Sequence, residues 1–489
     1  MDVMIGVALV LGLPLLGAVV LAFFGCRSSP AFGWAAFAVS AVSAVAACVM
    51  AATSWGQVLV TRYTWAESLN MGLSFRADAL SLLALVAITV LTSLALLYGV
   101  SYMTRRGGGS ASFYAWMLLF LTGMAGVALA ADTIEFYVFW EFMLIPSAAL
   151  LAFWGEGAHA RRTAIKYFIF THVGAVAILV AILWTFWATW TTDISLLREA
   201  FSQGDQNVLL VIAWLFVAGF AVKLAIFPVH TWLPDAYADA PLPVAVAMAG
   251  AMMGAGIYGL VRFVFTPFPL AVIQRMTLPL LVLALVTQYY GAVMALAQRG
   301  VRRIVAYSSM SQMGYVLFGV ASAAALGVGG SVFHLLNHGI AKALLFMSMG
   351  AVILSTGAES LDQMGGLARR MPLTALACSV AALSLAGAPP LGGFQSEWMI
   401  FAGGFGGGHA VLTGLAIAGS VLTAWYALWL VKRVFFGPER PELETASEAG
   451  AGLLVPMLAL CVAALVVGVY PGPFVQWVRE AVQLFAMSF

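Results

Sequence analysis

The chain is a near-unbroken succession of apolar runs, each about as long as the ~20 residues a helix needs to cross a bilayer. MDVMIGVALVLGLPLLGAVVLAFFGCRSSP, at the N-terminus, holds one such run, and another follows at once. In hydrocarbon every backbone N–H and C=O needs an internal partner, which leaves helices or closed barrels. The runs are continuous rather than short and alternating, so helices are expected. Of all residues 63% are hydrophobic and 9% charged, against about 25% charged in a soluble domain. The expected fold is an all-α polytopic membrane protein with about fourteen transmembrane helices. Their centres fall near Leu13, Ser43, Val90, Leu121, Leu144, Val176, Leu215, Met252, Val282, Phe318, Leu345, Ala382, Leu422 and Leu460.

Composition narrows function mainly by exclusion. A formal net charge of +2 gives no reason to expect nucleic acid as a partner. Cys26, Cys48, Cys378 and Cys461 lie far apart and form no CxxC pair. Neither a metal centre nor a disulfide framework is expected, and no cofactor motif is read. The first run has Asp2 and no Lys or Arg before Cys26, so a first transmembrane helix is expected rather than a signal peptide or a lipobox.

Charge sets the topology. Alternate inter-helix segments carry Arg27, Arg105 with Arg106, Arg161 with Arg162, Arg299 with Arg302 and Arg303, Arg369 with Arg370, and Lys432 with Arg433. The segments between them are poorer in Lys and Arg. This alternation puts the basic loops in the cytoplasm and both termini on the other side. The longest stretches between spans are Thr53–Asp78 and Gly437–Gly450. The second is acidic, flanked by Pro and Gly, and is expected to be a solvated linker. After the last span, FVQWVREAVQLFAM is amphipathic and is expected to lie along the interface.

Ionisable groups inside spans are costly and by default mark ion pathways or paired relays. Glu141 sits near the middle of the fifth span. Lys166 stands near the start of the sixth, with His172 six residues on, and Lys223 comes late in the seventh. In the eleventh, SVFHLLNHGIAKALLF spaces His334, His338 and Lys342 by four residues, which places them on one helix face. Glu397 lies in GAPPLGGFQSEW, in the twelfth. Glu141, Lys223, His334, His338, Lys342 and Glu397 are the candidate proton pathway, with Lys166, His172 and His230 secondary. For Lys166 the alternative is a side chain reaching the interface, and for His172 a packed, hydrogen-bonded ring. Lys342 beside the histidines argues against a metal there.

Two helices are expected to break. Pro228 lies at the exit of the seventh span, and Pro389 with Pro390 interrupts the twelfth among Gly387, Gly392 and Gly393. Proline removes a donor and clashes with the preceding turn. Such breaks survive at membrane depth only where buried or lining a cavity. The two lie five spans apart, so a five-helix repeat would be inverted across the membrane, and matched interruptions point to a transport pathway.

FYVFWEFMLIP, FAVKLAIFPVHTWLPDAYADAP, YSSMSQMGY, HLLNHGIAKALLF and GGLARRMP…GAPPLGGFQSEW together resemble the antiporter-like membrane subunits of respiratory complex I, Mrp cation/proton antiporters and group-4 membrane-bound hydrogenases. The resemblance runs from about Leu73 to Phe436. It implies about fourteen helices with two inverted five-helix repeats and broken seventh and twelfth helices. It also implies that Glu141 and Lys223 pair in a first half-channel, that Lys342 with His334 and His338 forms a central relay, and that Glu397 serves a second half-channel. The expected units are an N-terminal segment 1–110, repeats 111–265 and 266–436, and a final helix with an interfacial segment, 437–489.

One position departs from the pattern. Many members carry a lysine on the eighth helix where this chain has Gly254, in AGAMMGAGIYGLVRF. Water could bridge Lys223 and Lys342 there if the glycines leave room. The resemblance implies proton translocation, with sodium/proton exchange as a variant, inside a multi-subunit complex. Homologous antiporter-like subunits, peripheral redox subunits and lipid are the expected partners, in a bacterial inner membrane. An Mrp-type exchanger without a redox partner and a non-pumping scaffold are the alternatives. The chain itself shows no catalytic site.

Overall fold

The computed structural model describes residues 3–66 and 71–483. Among them thirteen helices are long and apolar enough to cross a membrane. The spans are α1 (Met4–Ala22), α2 (Pro30–Thr53), α3 (Ala79–Arg105), α4 (Ala111–Leu129), α5 (Thr133–Trp154), α6 (Ala160–Thr189) and α7 (Gln206–Lys223). They continue with α8 (Leu242–Phe265), α9 (Leu270–Ala297), α10 (Val301–Ala321) and α11 (Ala325–Thr356). The twelfth, α12, is split into Pro372–Leu385 and Gly392–Gly406, and α13 (Ala410–Phe435) and α14 (Ala451–Val469) complete the set. Counting split α12 as one gives the expected fourteen. A short α15 (Gly472–Ala481) follows.

Starts are set by polar caps. The side chains of Ser29, Asp78, Ser110, Asp132 and Asp205 accept hydrogen bonds from first-turn N–H groups of α2, α3, α4, α5 and α7. Each satisfies donors that an apolar surround would leave bare. The interior is built around α8, whose hydropathic core is wholly buried, with α3, α4, α10 and α11 mostly buried around it. By contrast, α6 turns Ile165, Ile169, Val173, Leu183 and Trp187 outward, and α13 does the same with Val421 and Trp425. A helix apolar on all sides belongs in the centre or against lipid, and this chain has both kinds. It is an integral membrane protein.

Two stretches between spans depart from expectation. Within Thr53–Asp78, β1 (Leu59–Ala66) pairs antiparallel with β2 (Met71–Ala77), Leu59 facing Ala77. The hairpin is tied to the start of α5 by Ala131 N–H donating to the Ser74 carbonyl and by Ser74 N–H donating to Glu135, 3.1 Å. The acidic Gly437–Gly450 stretch is not a solvated linker. Leu443, Ala446 and Ala449 are buried, Arg440 donates to the Met364 carbonyl, and Glu448 accepts from Leu373 N–H and Thr374 at the start of α12. Glu448 is a helix-capping ligand, which composition does not reveal. The described part of the amphipathic tail, α15, packs on the starts of α3 and α11. Trp477 donates to the Ala79 carbonyl at 2.9 Å, and Val478 is buried near Gly329. The rest of that segment lies outside the described residues.

One buried ion pair clamps the core from the end where α3 begins and α8 ends. Arg262 of α8 holds Asp78 with contacts of 2.8 and 2.5 Å, and Arg76 adds a third at 2.9 Å. Burial by itself raises the Asp78 carboxyl, but Arg262 and then Arg76 hold it well below the usual carboxylate range. Its stabilisation is therefore present at neutral pH and is lost only as pH falls through that depressed value. Asp78→Ala removes the partner of a buried arginine and a helix cap together. It is expected to cost about 3–5 kcal/mol, read as a lowered Tm in detergent or nanodiscs. Asp78→Asn, which keeps the cap, is expected to fall between the two. An unchanged Tm for Asp78→Ala would show that the clamp is not stabilising.

Candidate functional site: two broken helices and a buried charged core

Helix α7 ends at Lys223 itself, and the chain resumes as a helix only at Leu233–Asp239. The proline is thus not the first cause of the break. Ala225, two residues past the helix end, has φ +51°, a left-handed backbone that costs a non-glycine residue energy. The freed groups find partners inside the protein. Trp232 Nε1 donates to the Val222 carbonyl at 2.9 Å, and Phe227 N–H donates to Thr287 of α9 at 3.2 Å. Pro146, Pro279 and Pro456 all sit inside continuous helices, so proline alone does not interrupt this fold.

The second break has the same opening. Gly387, two residues past the end of the first half of α12, has φ +66°. Here glycine is favoured twice over, because a Cβ would also lie 2.5 Å from Glu397 Oε2. Asn337 of α11 donates to the Gly392 carbonyl at 2.8 Å, and Gln312 of α10 donates to that of Leu385 at 3.4 Å. Pro228 and Pro390 each stand five residues past their helix ends. In this register Leu385 matches Lys223, and Asp235 matches Glu397. The lysine before one break and the carboxylate after the other are therefore not equivalent positions.

The first charged group is Lys223, 2% exposed. Its ammonium lies 5.6 Å from the Trp140 ring centroid and 5.9 Å from that of Tyr167. Aromatic faces attract a cation, and Glu141 is a carboxylate within electrostatic range. The direct hydrogen bonds of Glu141 go elsewhere. Tyr137 donates to it at 3.1 Å, and His172 Nδ1 lies 3.2 Å away while its ring stacks on Phe168. Glu141 and Lys223 are thus near but not in contact, and His172 takes the place at the carboxylate that the resemblance gives to lysine. Lys166 is not merely stretched to the interface: it pairs with Asp235 at 2.8 Å, which Arg303 also holds at 2.8 Å. His230, in the break, is buried against Phe227 and Tyr290, with Nδ1 unpartnered.

The second group shares one helix face. His334, His338 and Lys342 of α11 are buried on one face, the imidazole centroids 5.9 Å apart. Lys342 donates to Ser308 and to the Val305 carbonyl of α10. At the other end, His334 Nδ1 lies 3.0 Å from Ser396, the neighbour of Glu397. His334 Nε2, His338 Nε2 and Glu397 Oε1 are buried without a protein partner. Buried polar atoms of this kind are usually satisfied by water. Sequence reading missed the polar shelf beside them, where Tyr315 meets Thr423 at 2.9 Å and Gln288 donates to the Ala416 carbonyl. Polar residues at helical spacing in YSSMSQMGY are the signal that could have found it. Among the described residues no three His, Cys, Asp or Glu side chains gather to hold a metal ion.

Between the groups stands α8, and the room that its glycines could leave is filled. A Cβ on Gly254 would lie 3.2 Å from Leu335 of α11. One turn earlier, Gly250 and Gly339 let the two backbones touch: a Cβ on Gly339 would meet the Gly250 carbonyl oxygen at 2.7 Å. These glycines serve close helix approach, as small residues do in membranes. Two π-helical turns, Met248–Met252 and Val261–Phe265, flank the segment, a distortion frequent at functional sites. Gly339→Ala is expected to force α8 and α11 apart at a cost of about 1–3 kcal/mol, measured as a lower Tm of the purified protein. Wild-type stability would mean that the crossing is looser than described.

Residues 130–423 match the family profile described as NADH:quinone oxidoreductase/Mrp antiporter, TM, and residues 63–114 match that of NADH-ubiquinone oxidoreductase (complex I), chain 5 N-terminus. The chain is 34% identical over 421 residues to NADH-quinone oxidoreductase subunit M of Pseudomonas aeruginosa, covering 84% of this chain and 81% of that protein. It is 33% identical over 371 residues to F(420)H(2) dehydrogenase subunit M of Methanosarcina mazei, covering 74% of each. A chain of the Mrp complex from Dietzia sp. DQ12-45-1b shares the fold with a TM-score of 0.90 at 26% identity, over 99% of this chain and 98% of that one. Respiratory complex I from Thermus thermophilus contains a chain of the same fold, with a TM-score of 0.88 at 24% identity and 99% of each covered. The chain is therefore a member of the NADH:quinone oxidoreductase/Mrp antiporter transmembrane family.

Proposed function

We propose that this chain moves protons across the membrane as an antiporter-like subunit of a redox-driven complex related to complex I or group-4 hydrogenase. The observation that carries the reading is Lys223: an ammonium-bearing side chain buried at the end of a broken helix, between two aromatic rings and within range of Glu141. A low-dielectric setting disfavours the ammonium and an approaching carboxylate favours it. Movement of Glu141 between His172 and Lys223 would then decide whether the lysine holds its proton. From Lys342 the proton would pass along His338 and His334 to Glu397 and the second break.

The pattern of basic loops supports an orientation with those loops in the cytoplasm and both termini outside. In the proposed route, uptake is at the break of α7 and release at the break of α12. A bacterial inner membrane suits that topology. The units 111–265 and 266–436 are read as inverted repeats, with each boundary falling between spans, flanked by 1–110 and 437–489. The outward apolar faces of α6 and α13 suit lipid or homologous membrane subunits. Energy would come from peripheral redox subunits.

The high structural similarity to the Mrp chain favours one second reading, cation/proton exchange without a redox partner. Purification from native membranes separates the two: co-purifying hydrogenase-like or quinone-reductase-like subunits indicate a redox pump, and small membrane subunits alone indicate an exchanger. In the redox case, Lys223→Met is expected to abolish coupled proton translocation in reconstituted vesicles while leaving assembly and electron transfer intact. Translocation at the wild-type ratio would refute the mechanism.

A further inference from the structure

With Gly254 packed under Leu335, the route from Lys223 to Lys342 needs another polar group. Tyr237 is placed to be that group. It sits in Leu233–Asp239, the second half of the seventh span, and is fully buried. Its hydroxyl has no hydrogen-bond partner in the protein. Leaving a buried hydroxyl unpaired is costly, so an orphan of this kind points to a bound water.

The surroundings lead in both directions. Towards Lys223, the Tyr237 ring lies 6.4 Å from Trp232, which lies 5.1 Å from Tyr167, the ring beneath the Lys223 ammonium. Tyr167 and Tyr237 are within electrostatic range of each other. The Tyr167 hydroxyl meets Ser147 at 2.8 Å, so a second hydroxyl extends the polar line. Towards Lys342, the Tyr237 ring packs edge-on against Phe346 at 5.6 Å. Phe346 is one helical turn from Lys342 on α11. The element carrying Tyr237 also packs on α10, whose Ser308 accepts from Lys342.

We propose that Tyr237 passes protons between Lys223 and Lys342, in place of the side chain that Gly254 lacks; this rests on the proton-translocating reading above. The step is balanced and builds up no charge. On the Lys223 side an ammonium N–H breaks as its proton goes to a water, and that water gives one of its own protons to a lone pair of the Tyr237 oxygen, forming one O–H bond. The original phenolic O–H breaks as its proton leaves to a water on the Lys342 side, which passes one proton to the lone pair of a neutral Lys342 amine. The hydroxyl then turns about the C–O bond to reset. Phenylalanine keeps the ring but has no atom for this step. Histidine keeps a ring that can both accept and donate.

The test uses the intact complex in vesicles, comparing redox-driven acidification with electron transfer across pH. Tyr237→Phe is expected to assemble and to transfer electrons but lose acidification, as Lys223→Met does. Tyr237→His is expected to restore acidification with a pH profile moved towards that of an imidazole. If Tyr237→Phe acidifies like the wild type while Lys223→Met does not, Tyr237 is not on the path and the parent reading stands. If Lys223→Met also acidifies normally, the parent reading itself fails. Should Tyr237→Phe not assemble, Tyr237→His decides: an unchanged pH profile would reduce the ring to packing and overturn the proposal.

Discussion

A helix that stops inside a membrane must find donors for the carbonyls it frees, and the architecture of this protein follows from where those donors stand. Trp232 turns back to Val222, Asn337 reaches from α11 to Gly392, and Gln312 reaches from α10 to Leu385. Each partner comes from an element that also carries, or touches, a charged residue of the site. The same interior donors that make non-helical backbone tolerable thus fix the helices bearing Lys223, Lys342 and Glu397 relative to one another. Break and buried charge are one structural solution rather than two separate costs.

Much of this was legible in the sequence because lipid leaves so few alternatives. Apolar runs gave the span count, and His334, His338 and Lys342 at four-residue spacing gave a shared buried face. Less legible were features that depend on a partner far along the chain. The β1–β2 hairpin lies between two spans, in a stretch rich in Val, Thr, Tyr and Trp whose strand signal was outweighed by the helices on either side. Glu448 looks like solvated charge until the start of α12 is seen to need a cap. The resemblance implies Lys223 as the partner of Glu141, yet Tyr137 and His172 make the direct contacts, a choice that only packing decides.

The breaks show both the value and the limit of reading prolines. Pro228 and Pro390 do mark them, in matching register. Yet Pro146, Pro279 and Pro456 are absorbed into continuous helices. Both breaks close as other helices of this chain do, with a residue in the left-handed region two positions past the helix end: Ala225 in one and Gly387 in the other, as Gly107, Ala323 and Gly408 follow α3, α10 and α12. Glycine there is easy to read, as it costs nothing. Alanine is not, because the surrounding packing imposes its conformation.

Glycine in α8 shows the same ambiguity in a place that matters more. Small residues in a sequence are consistent with an open, hydrated gap or with two helices pressed together, and composition cannot tell these apart. Here Gly250 and Gly339 bring backbone against backbone, and Leu335 covers Gly254. The centre of the bundle is therefore tight at the point where the side-chain line is interrupted. On the proposed reading, a proton crossing between the two halves passes beside α8 rather than through it. The neighbouring volume holds Trp232, Tyr167 and Tyr237, aromatic residues whose bulk excludes bulk water while their polar tips can hold single waters. Such a place can connect two sites without leaking between them, because a path made of a few ordered hydrogen bonds is easily interrupted by rotation of one hydroxyl.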